Sequence, residues 1–93
     1  MIRVRYLRSF DDSLAALDDK SRKKAIGAVR RLLDYFAGGA KPLGLGLRKL
    51  RDPYWEIRVS LERRVIFSLG NDLAVFILAG NHDEIRRCLD RLA

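Results

Sequence analysis

The sequence predicts an α+β fold with two helices near the amino terminus, an antiparallel sheet of four or five strands and a short carboxy-terminal helix. Three patterns predict this fold. Apolar residues recur at helical spacing within residues 9–37, and they alternate with polar residues over 54–69. Glycine, asparagine and proline mark tight turns between the later segments. A chain of 93 residues is expected to form a single domain over residues 1–93.

The first forty residues are predicted to contain one strand and two helices. Residues 2–7 alternate apolar and charged side chains, which is typical of a half-buried strand. Ser9 and Asp12 have the spacing of a capping box and predict a short helix there. A longer helix is predicted from about 20 to 37. It is expected to end there because a glycine pair follows, and glycine readily adopts the C-cap conformation. With almost no linker between them, the two helices are predicted to pack as a helical hairpin on one face of the sheet.

The remaining strands are predicted to follow one another through short turns. Residues 55–60 and 64–69 each alternate apolar with polar side chains. Residues 73–79 are apolar throughout, as expected of a strand that is covered on both faces. Consecutive strands with tight turns form an antiparallel meander. The helical hairpin is expected to cover one face of this sheet, which leaves the other face for a ligand.

The composition restricts the compartment and suggests a kind of partner. Lys and Arg number 19 against 12 Asp and Glu, which gives a formal net charge of +7. Such an excess attracts phosphates, although it is also consistent with a solubility device. No apolar run is long enough to cross a bilayer, and the charged start does not resemble a signal peptide. The single cysteine allows no internal disulfide. We therefore expect a cytoplasmic protein without a membrane partner.

Two arginines are predicted to lie side by side on the face of the sheet away from the helical hairpin. If Trp55, Ile57 and Val59 face the core, Arg58 points to the other side of the sheet. The same alternation in the next strand puts Arg64 on that side. Two neighbouring guanidinium groups repel unless an anion lies between them, and their geometry matches phosphate oxygens. The alternative is an exposed pair that is neutralised by Glu56 and Glu62.

The only histidine, His82, follows the last predicted strand. Asn81 and Glu84 have capping-box spacing, which predicts a last helix near 82–92 that begins at this histidine. A solitary histidine is more often structural than catalytic. At a strand end beside Arg64, however, it would be well placed for proton transfer. Both interpretations stay open at this point.

Other candidate residues have simpler interpretations. Trp55 is expected to be a core residue, because it alternates with apolar neighbours. Cys88 is expected to be a small buried or half-buried apolar residue and not a nucleophile, because no second base accompanies it. Gly44 and Gly46 are not followed by a helix and do not form a phosphate-binding loop. No His, Cys or Asp cluster has metal-ligand spacing, so neither a metal nor another cofactor is predicted.

Taken together, three segments resemble the RelE/ParE superfamily of toxins. They are Tyr54-Trp55-Glu56-Ile57-Arg58-Val59, Arg64-Val65-Ile66-Phe67 and Phe76-Ile77-Leu78-Ala79-Gly80-Asn81-His82. The resemblance covers essentially the whole chain and is nearest to the YoeB-like branch, whose members cleave mRNA in the ribosomal A site. It implies that Arg64 stabilises the phosphate, that His82 transfers a proton and that Arg58 contacts the RNA.

The chain also departs from both branches of this superfamily. YoeB-like members carry a carboxylate before the second strand, where this chain has Leu45-Gly46-Leu47, and they end in His-Tyr where Asp83 follows His82 here. RelE-like members have a lysine at the place of Glu56 and a tyrosine near the place of Cys88. The catalytic set of neither branch is therefore complete.

The resemblance implies a toxin of a type II toxin–antitoxin pair that acts as a ribosome-dependent, metal-independent endoribonuclease on mRNA. Its partners would be a cognate antitoxin, the ribosome and mRNA. The implied catalytic residues are Arg64, His82 and Arg58, with Glu56 as a secondary candidate, and the implied RNA-binding residues are Arg48, Lys49, Arg51 and Arg63. One alternative is a non-catalytic ParE-like toxin that inhibits DNA gyrase. Another is an inactive relative that only binds a partner.

Overall fold

The computed structural model describes residues 2–92, which form a five-stranded sheet with helices on both faces. The strand order is β1-β5-β4-β3-β2. The predicted α+β class is confirmed, with five strands. Along the chain the elements are β1 (Arg3–Tyr6), α1 (Arg8–Ala15), α2 (Asp19–Phe36), β2 (Arg48–Arg51), β3 (Tyr54–Arg58), β4 (Arg63–Gly70), β5 (Leu73–Asn81) and α3 (His82–Arg91).

The sheet is mixed, and the prediction of a wholly antiparallel sheet is wrong at its first strand. Strands β2 to β5 form an antiparallel meander, as predicted. Strand β1 pairs in parallel with β5, with Arg3 beside Leu73 and Tyr6 beside Phe76. Along the chain, α1 and α2 lie between β1 and the other strands, so no tight turn fixes the direction of β1. A long crossover connection of this kind permits parallel pairing.

Helix α1 is attached to β5 by two serine side chains. Ser9 Oγ donates to the Ile77 carbonyl at 2.6 Å, and Ser13 Oγ accepts from the Ala79 amide at 2.9 Å. The predicted capping box at Ser9 is wrong, because Leu7 is the N-cap and no side chain caps the helix. The predicted packing of α1 against α2 as a hairpin is not confirmed. These side-chain hydrogen bonds join α1 to the sheet instead.

Helix α2 has the boundaries that its sequence signals predict. Asp18 is its N-cap, and the carboxylate accepts a hydrogen bond from the Ser21 amide. Hydrogen bonding with the Ser21 side chain, and to a smaller degree with this amide, holds the pKa of Asp18 below its usual value. Beyond the helix, Gly38 has a φ of +104°, a conformation that side-chain-bearing residues rarely adopt. A connection over residues 37–47 then leads to β2 at the far edge of the sheet.

Buried residues form one cluster on each face of the sheet. On the first face, α1 and α2 cover β3, β4 and β5, with Phe10, Leu32, Ile57, Phe67 and Phe76 among the buried side chains. On the second face, Ile85 of α3 packs against Ile66 and Ile77. The expectation that this second face stays free for a ligand is therefore wrong where α3 lies. The apolar side of α3 needs cover, and the sheet supplies it.

No helix in residues 2–92 is long and apolar enough to span a bilayer.

Candidate functional site

Arg58 and Arg64 are direct neighbours across β3 and β4, as the alternation predicts. The register pairs them in the antiparallel ladder, and opposite residues of such a pair share a face. Glu56 lies on the same face, diagonal to Arg64. Across the other edge of β3, Arg48 of β2 is the partner of Glu56. We call the surface formed by Arg48, Glu56, Arg58 and Arg64 the arginine face.

The Arg64 guanidinium is held by contacts within the fold. Its Nη1 donates to the Ser60 carbonyl at 2.7 Å and to the Arg63 carbonyl at 3.1 Å. Its Nε lies 3.6 Å from Glu56 Oε2, and only 19% of the Arg64 side chain and 9% of the Glu56 side chain are exposed. Nη2 makes no hydrogen bond within residues 2–92. Because no buried side-chain nitrogen there lacks a partner, Nη2 is not fully buried.

Glu56 is a buried carboxylate, which alternation alone did not indicate. The sequence predicts an exposed Glu56, and the resemblance makes it a secondary catalytic candidate. In the structure it is 7% exposed and pairs with Arg64. A carboxylate is stable in such a place only beside a cation. Its contact with Arg64 makes Glu56 the counter-ion that orients the guanidinium. The signal that sequence could have offered is the diagonal spacing of the two residues on adjacent strands.

Arg58 is exposed and is positioned by the connection that precedes β2. Its amide donates to the Leu45 carbonyl at 2.8 Å, and Leu45 is buried in the core. Gly46 has a φ of +62°, and a Cβ at that position would lie 2.8 Å from Arg58 Cβ. The backbone of Gly46 therefore passes directly beside Arg58. The sequence predicts no phosphate loop here, and no local pattern indicates this contact, because it joins two separate segments of the chain.

His82 is exposed and begins α3 where β5 ends. Gly80 lies opposite Arg64 in the antiparallel ladder, and His82 is two residues beyond Gly80 in the chain. Asn81 caps the helix in the predicted capping box with Glu84. Nη2 of Arg86 lies 3.2 Å from His82 Nε2. A guanidinium can only donate, so Nε2 is the acceptor in this contact.

The four predicted RNA-binding residues divide between the two faces of the sheet. Arg48 lies on the arginine face. Arg51 Nη2 donates to the Leu89 carbonyl at 2.8 Å and so anchors the end of α3. Lys49 is opposite Trp55, close to Asp52 and above the indole ring, and Arg63 alternates with Arg64. These last two point to the opposite face, so the structure brings only Arg48 together with Arg58 and Arg64.

Trp55 and Cys88 have the packing that the sequence predicts. Trp55 is partly buried against the first core cluster. Cys88 is half-buried against the second. Burial raises the pKa of the Cys88 thiol, and nearby Arg91 only partly opposes this effect. The thiol therefore stays protonated at neutral pH. Within residues 2–92, no group of three or more His, Cys, Asp or Glu side chains could hold a metal ion.

Comparison with known proteins identifies the fold. No protein-family model matches the chain, and no curated protein matches its sequence. Among solved structures, the E. coli DinJ–YafQ complex matches with a TM-score of 0.69 and 17% identity, over 91% of this chain and 98% of that chain. The RelB–RelE antitoxin–toxin complex from Methanococcus jannaschii gives 0.68 and 15%, over 90% and 96%. The YoeB–YefM complex from Staphylococcus aureus gives 0.62 and 15%, over 88% and 98%. The chain therefore has the fold of the YafQ, RelE and YoeB toxins.

Proposed function

We propose that this protein is the toxin of a type II toxin–antitoxin pair and that it cleaves mRNA on the ribosome. The observation that carries the proposal is the pairing of Arg58 with Arg64 at the sheet end where His82 begins α3. The fold shared with YafQ, RelE and YoeB supports it, as does the net charge of +7. The proposed site of action is the cytoplasm, where ribosomes translate mRNA.

The proposed reaction uses the 2′-hydroxyl of the RNA as the nucleophile. His82 removes the proton of this hydroxyl as its oxygen attacks the adjacent phosphorus. The bond from phosphorus to the 5′-oxygen then breaks, which leaves a 2′,3′-cyclic phosphate, and the 5′-oxygen takes up a proton from water to become a hydroxyl. Since the RNA supplies its own nucleophile, the reaction needs no metal ion. Holding the reacting groups in line contributes to the rate.

The two arginines have different parts in this proposal. Arg64 stabilises the negative charge that develops on the phosphorane through Nη2, the nitrogen that the fold leaves available. Glu56 and the Ser60 carbonyl fix the guanidinium before RNA arrives, so little reorganisation is required. Arg58 is exposed and contacts the RNA backbone to position it. Arg48 extends the same positive surface to β2.

An antitoxin is the proposed protein partner. DinJ–YafQ, RelB–RelE and YoeB–YefM are complexes of a toxin with a second protein. We infer that the antitoxin of this protein covers the arginine face with an acidic segment. Carboxylates would occupy the place of phosphates beside Arg58 and Arg64. Cleavage and neutralisation would then compete for the same side chains.

The proposal is tested by expressing the protein under tight control and measuring translation and DNA supercoiling over time. Translation, measured by pulse labelling, should stop first, and primer extension should show new mRNA ends that depend on ribosomes. Expression of a double variant, Arg58→Ala with Arg64→Ala, should neither stop translation nor produce new mRNA ends. Loss of DNA supercoiling before any loss of translation would overturn the proposal in favour of a gyrase inhibitor. The absence of both effects would indicate a protein that only binds.

A further inference from the structure

Strand β1 forms a sheet edge whose outward backbone groups have no partner strand within residues 2–92. The Arg3 amide donates to Asp72 at 2.7 Å, and the Leu7 amide donates to Phe76 at 3.0 Å. Because amide groups alternate between the two sides of a strand, the N–H and C=O groups of Val4 and Tyr6 point away from β5. This edge offers two donors and two acceptors to a further strand.

An apolar groove runs beside this edge, between β1 and the helices. It consists of two cavities of about 330 and 410 Å³ that share Leu33 in their walls. Val4, Tyr6 and Ile26 line the groove and are 36%, 45% and 41% exposed. Several large apolar side chains exposed together are typical of a surface that a partner covers.

The charges of β1 select the kind of segment that could cover it. Arg3 and Arg5 alternate with Val4 and Tyr6 and are exposed on the opposite side of the strand. In a strand added to this edge, apolar side chains would enter the groove, and every second side chain would face these arginines. Opposite charges in such cross-strand pairs are favourable, and like charges are not. A second copy of β1 would place arginine against arginine.

We propose that the β1 edge and its groove bind an extended segment of a partner protein whose side chains alternate between apolar and acidic. The segment adds a strand to the sheet through Val4 and Tyr6, with its apolar side chains in the groove and its carboxylates beside Arg3 and Arg5. This surface lies at the opposite edge of the sheet from β2. It is separate from the arginine face, so the inference does not depend on the proposed RNA cleavage.

The first test uses an eight-residue, fluorescein-labelled peptide of alternating valine and glutamate. Its control has the same composition in block order, so that both peptides carry the same charge. The alternating peptide should bind more tightly, as measured by fluorescence anisotropy. It should also slow hydrogen exchange of the Val4 and Tyr6 amides, observed by NMR. Equal affinity for the two peptides, or unchanged exchange at both amides, would overturn the proposal. Protection of these amides by self-association without peptide would also overturn it.

The second test changes the edge itself. Arg3→Glu with Arg5→Glu should weaken binding of the acidic peptide about tenfold, because attractive cross-strand pairs become repulsive. The same variant should bind a peptide with lysine in place of glutamate. Arg87→Glu with Arg91→Glu makes the same charge change on exposed positions of α3 and should leave affinity nearly unchanged. Val4→Pro removes one outward donor, which an edge strand tolerates, and should also weaken binding. Equal affinity of the Arg3/Arg5 and Arg87/Arg91 variants would contradict strand addition at β1.

Discussion

At the scale of single residues, the ion pair between Glu56 and Arg64 explains how the fold fixes the orientation of a guanidinium. The carboxylate holds Nε, and two backbone carbonyls hold Nη1. Nη2 makes none of these contacts. The Glu56 carboxylate fixes the orientation of the Arg64 guanidinium but partly neutralises its charge. Arg58 and Arg48 supply further positive charge around it.

Neutralising Glu56 should destabilise the protein more than neutralising an exposed glutamate. Glu56→Gln keeps the shape of the side chain but leaves Arg64 without its counter-ion. We expect the free energy of unfolding to fall by about 1–3 kcal/mol, because a largely buried charge loses its partner. Glu62→Gln, in the exposed turn between β3 and β4, should change it by less than about 0.5 kcal/mol. Urea denaturation measures both variants, and equal effects would show that the pair is not stabilising.

Two glycines of the connection before β2 separate backbone strain from contact with Arg58. Gly44 and Gly46 both have positive φ, so alanine at either position is strained by about 1–2 kcal/mol. Only at Gly46 would the new Cβ meet Arg58, whereas nothing lies within 4 Å of it at Gly44. Gly46→Ala should therefore weaken RNA binding beyond its effect on stability, while Gly44→Ala should not. Equal RNA affinity for the two variants would mean that the contact does not position Arg58.

At the scale of elements, the capping box of α3 holds His82 at the strand end. The Asn81 side chain accepts from the Glu84 amide at 2.8 Å, and the Glu84 carboxylate accepts from the Asn81 amide at 2.9 Å. Asn81→Ala should lower the free energy of unfolding by about 1 kcal/mol. Arg87→Ala, at an exposed position in the same helix, should have almost no effect. Thermal denaturation compares the two, and an Asn81→Ala protein as stable as the wild type would contradict this role of the cap.

The elements that sequence predicts well are those specified by local signals. The boundaries of α2 follow from its apolar stripe and the glycines after it, and α3 follows from Asn81 and Glu84. The direction of β1 depends on a partner strand seventy positions later, which no local pattern specifies. Ser9 illustrates the same limit. Serine is a common helix cap, but the Ser9 hydroxyl donates a hydrogen bond to the Ile77 carbonyl of β5.

At the scale of the whole molecule, some of the positively charged side chains make structural contacts within the fold. Arg51 anchors α3, and Arg22 donates to the Leu14 and Ala15 carbonyls at the end of α1. The net charge of +7 therefore exceeds the positive charge that contacts within the fold leave available. The arginine face is a smaller part of it. Sequence alternation identified Arg58 and Arg64 as members of this face. It could not show that Glu56 is buried there or that α3 covers the adjoining surface.

RNA binding should depend on salt in a way that distinguishes the two faces of the sheet. Affinity for single-stranded RNA should fall as salt rises, because each phosphate contact releases counter-ions. Arg48→Ala should reduce the slope of log affinity against log salt by about 0.7, the contribution of one contact. Lys49→Ala should reduce it less, since Lys49 lies on the other face and pairs with Asp52. A larger effect at Lys49 than at Arg48 would show that RNA binds elsewhere.

The most direct test of the proposed chemistry is single-turnover cleavage of mRNA on programmed ribosomes. Arg64→Ala should slow cleavage by about 10²–10³, the loss expected for a donor that stabilises a transition-state oxyanion. Arg64→Lys should recover only part of the rate, because an ammonium group cannot bridge two phosphate oxygens. His82→Gln should lose about 10²–10⁴ through loss of proton transfer. Arg87→Ala should cleave like the wild type, with the folding of every variant checked by circular dichroism. Cleavage by folded His82→Gln or Arg64→Ala at the wild-type rate, or no cleavage by the wild type, would contradict the account.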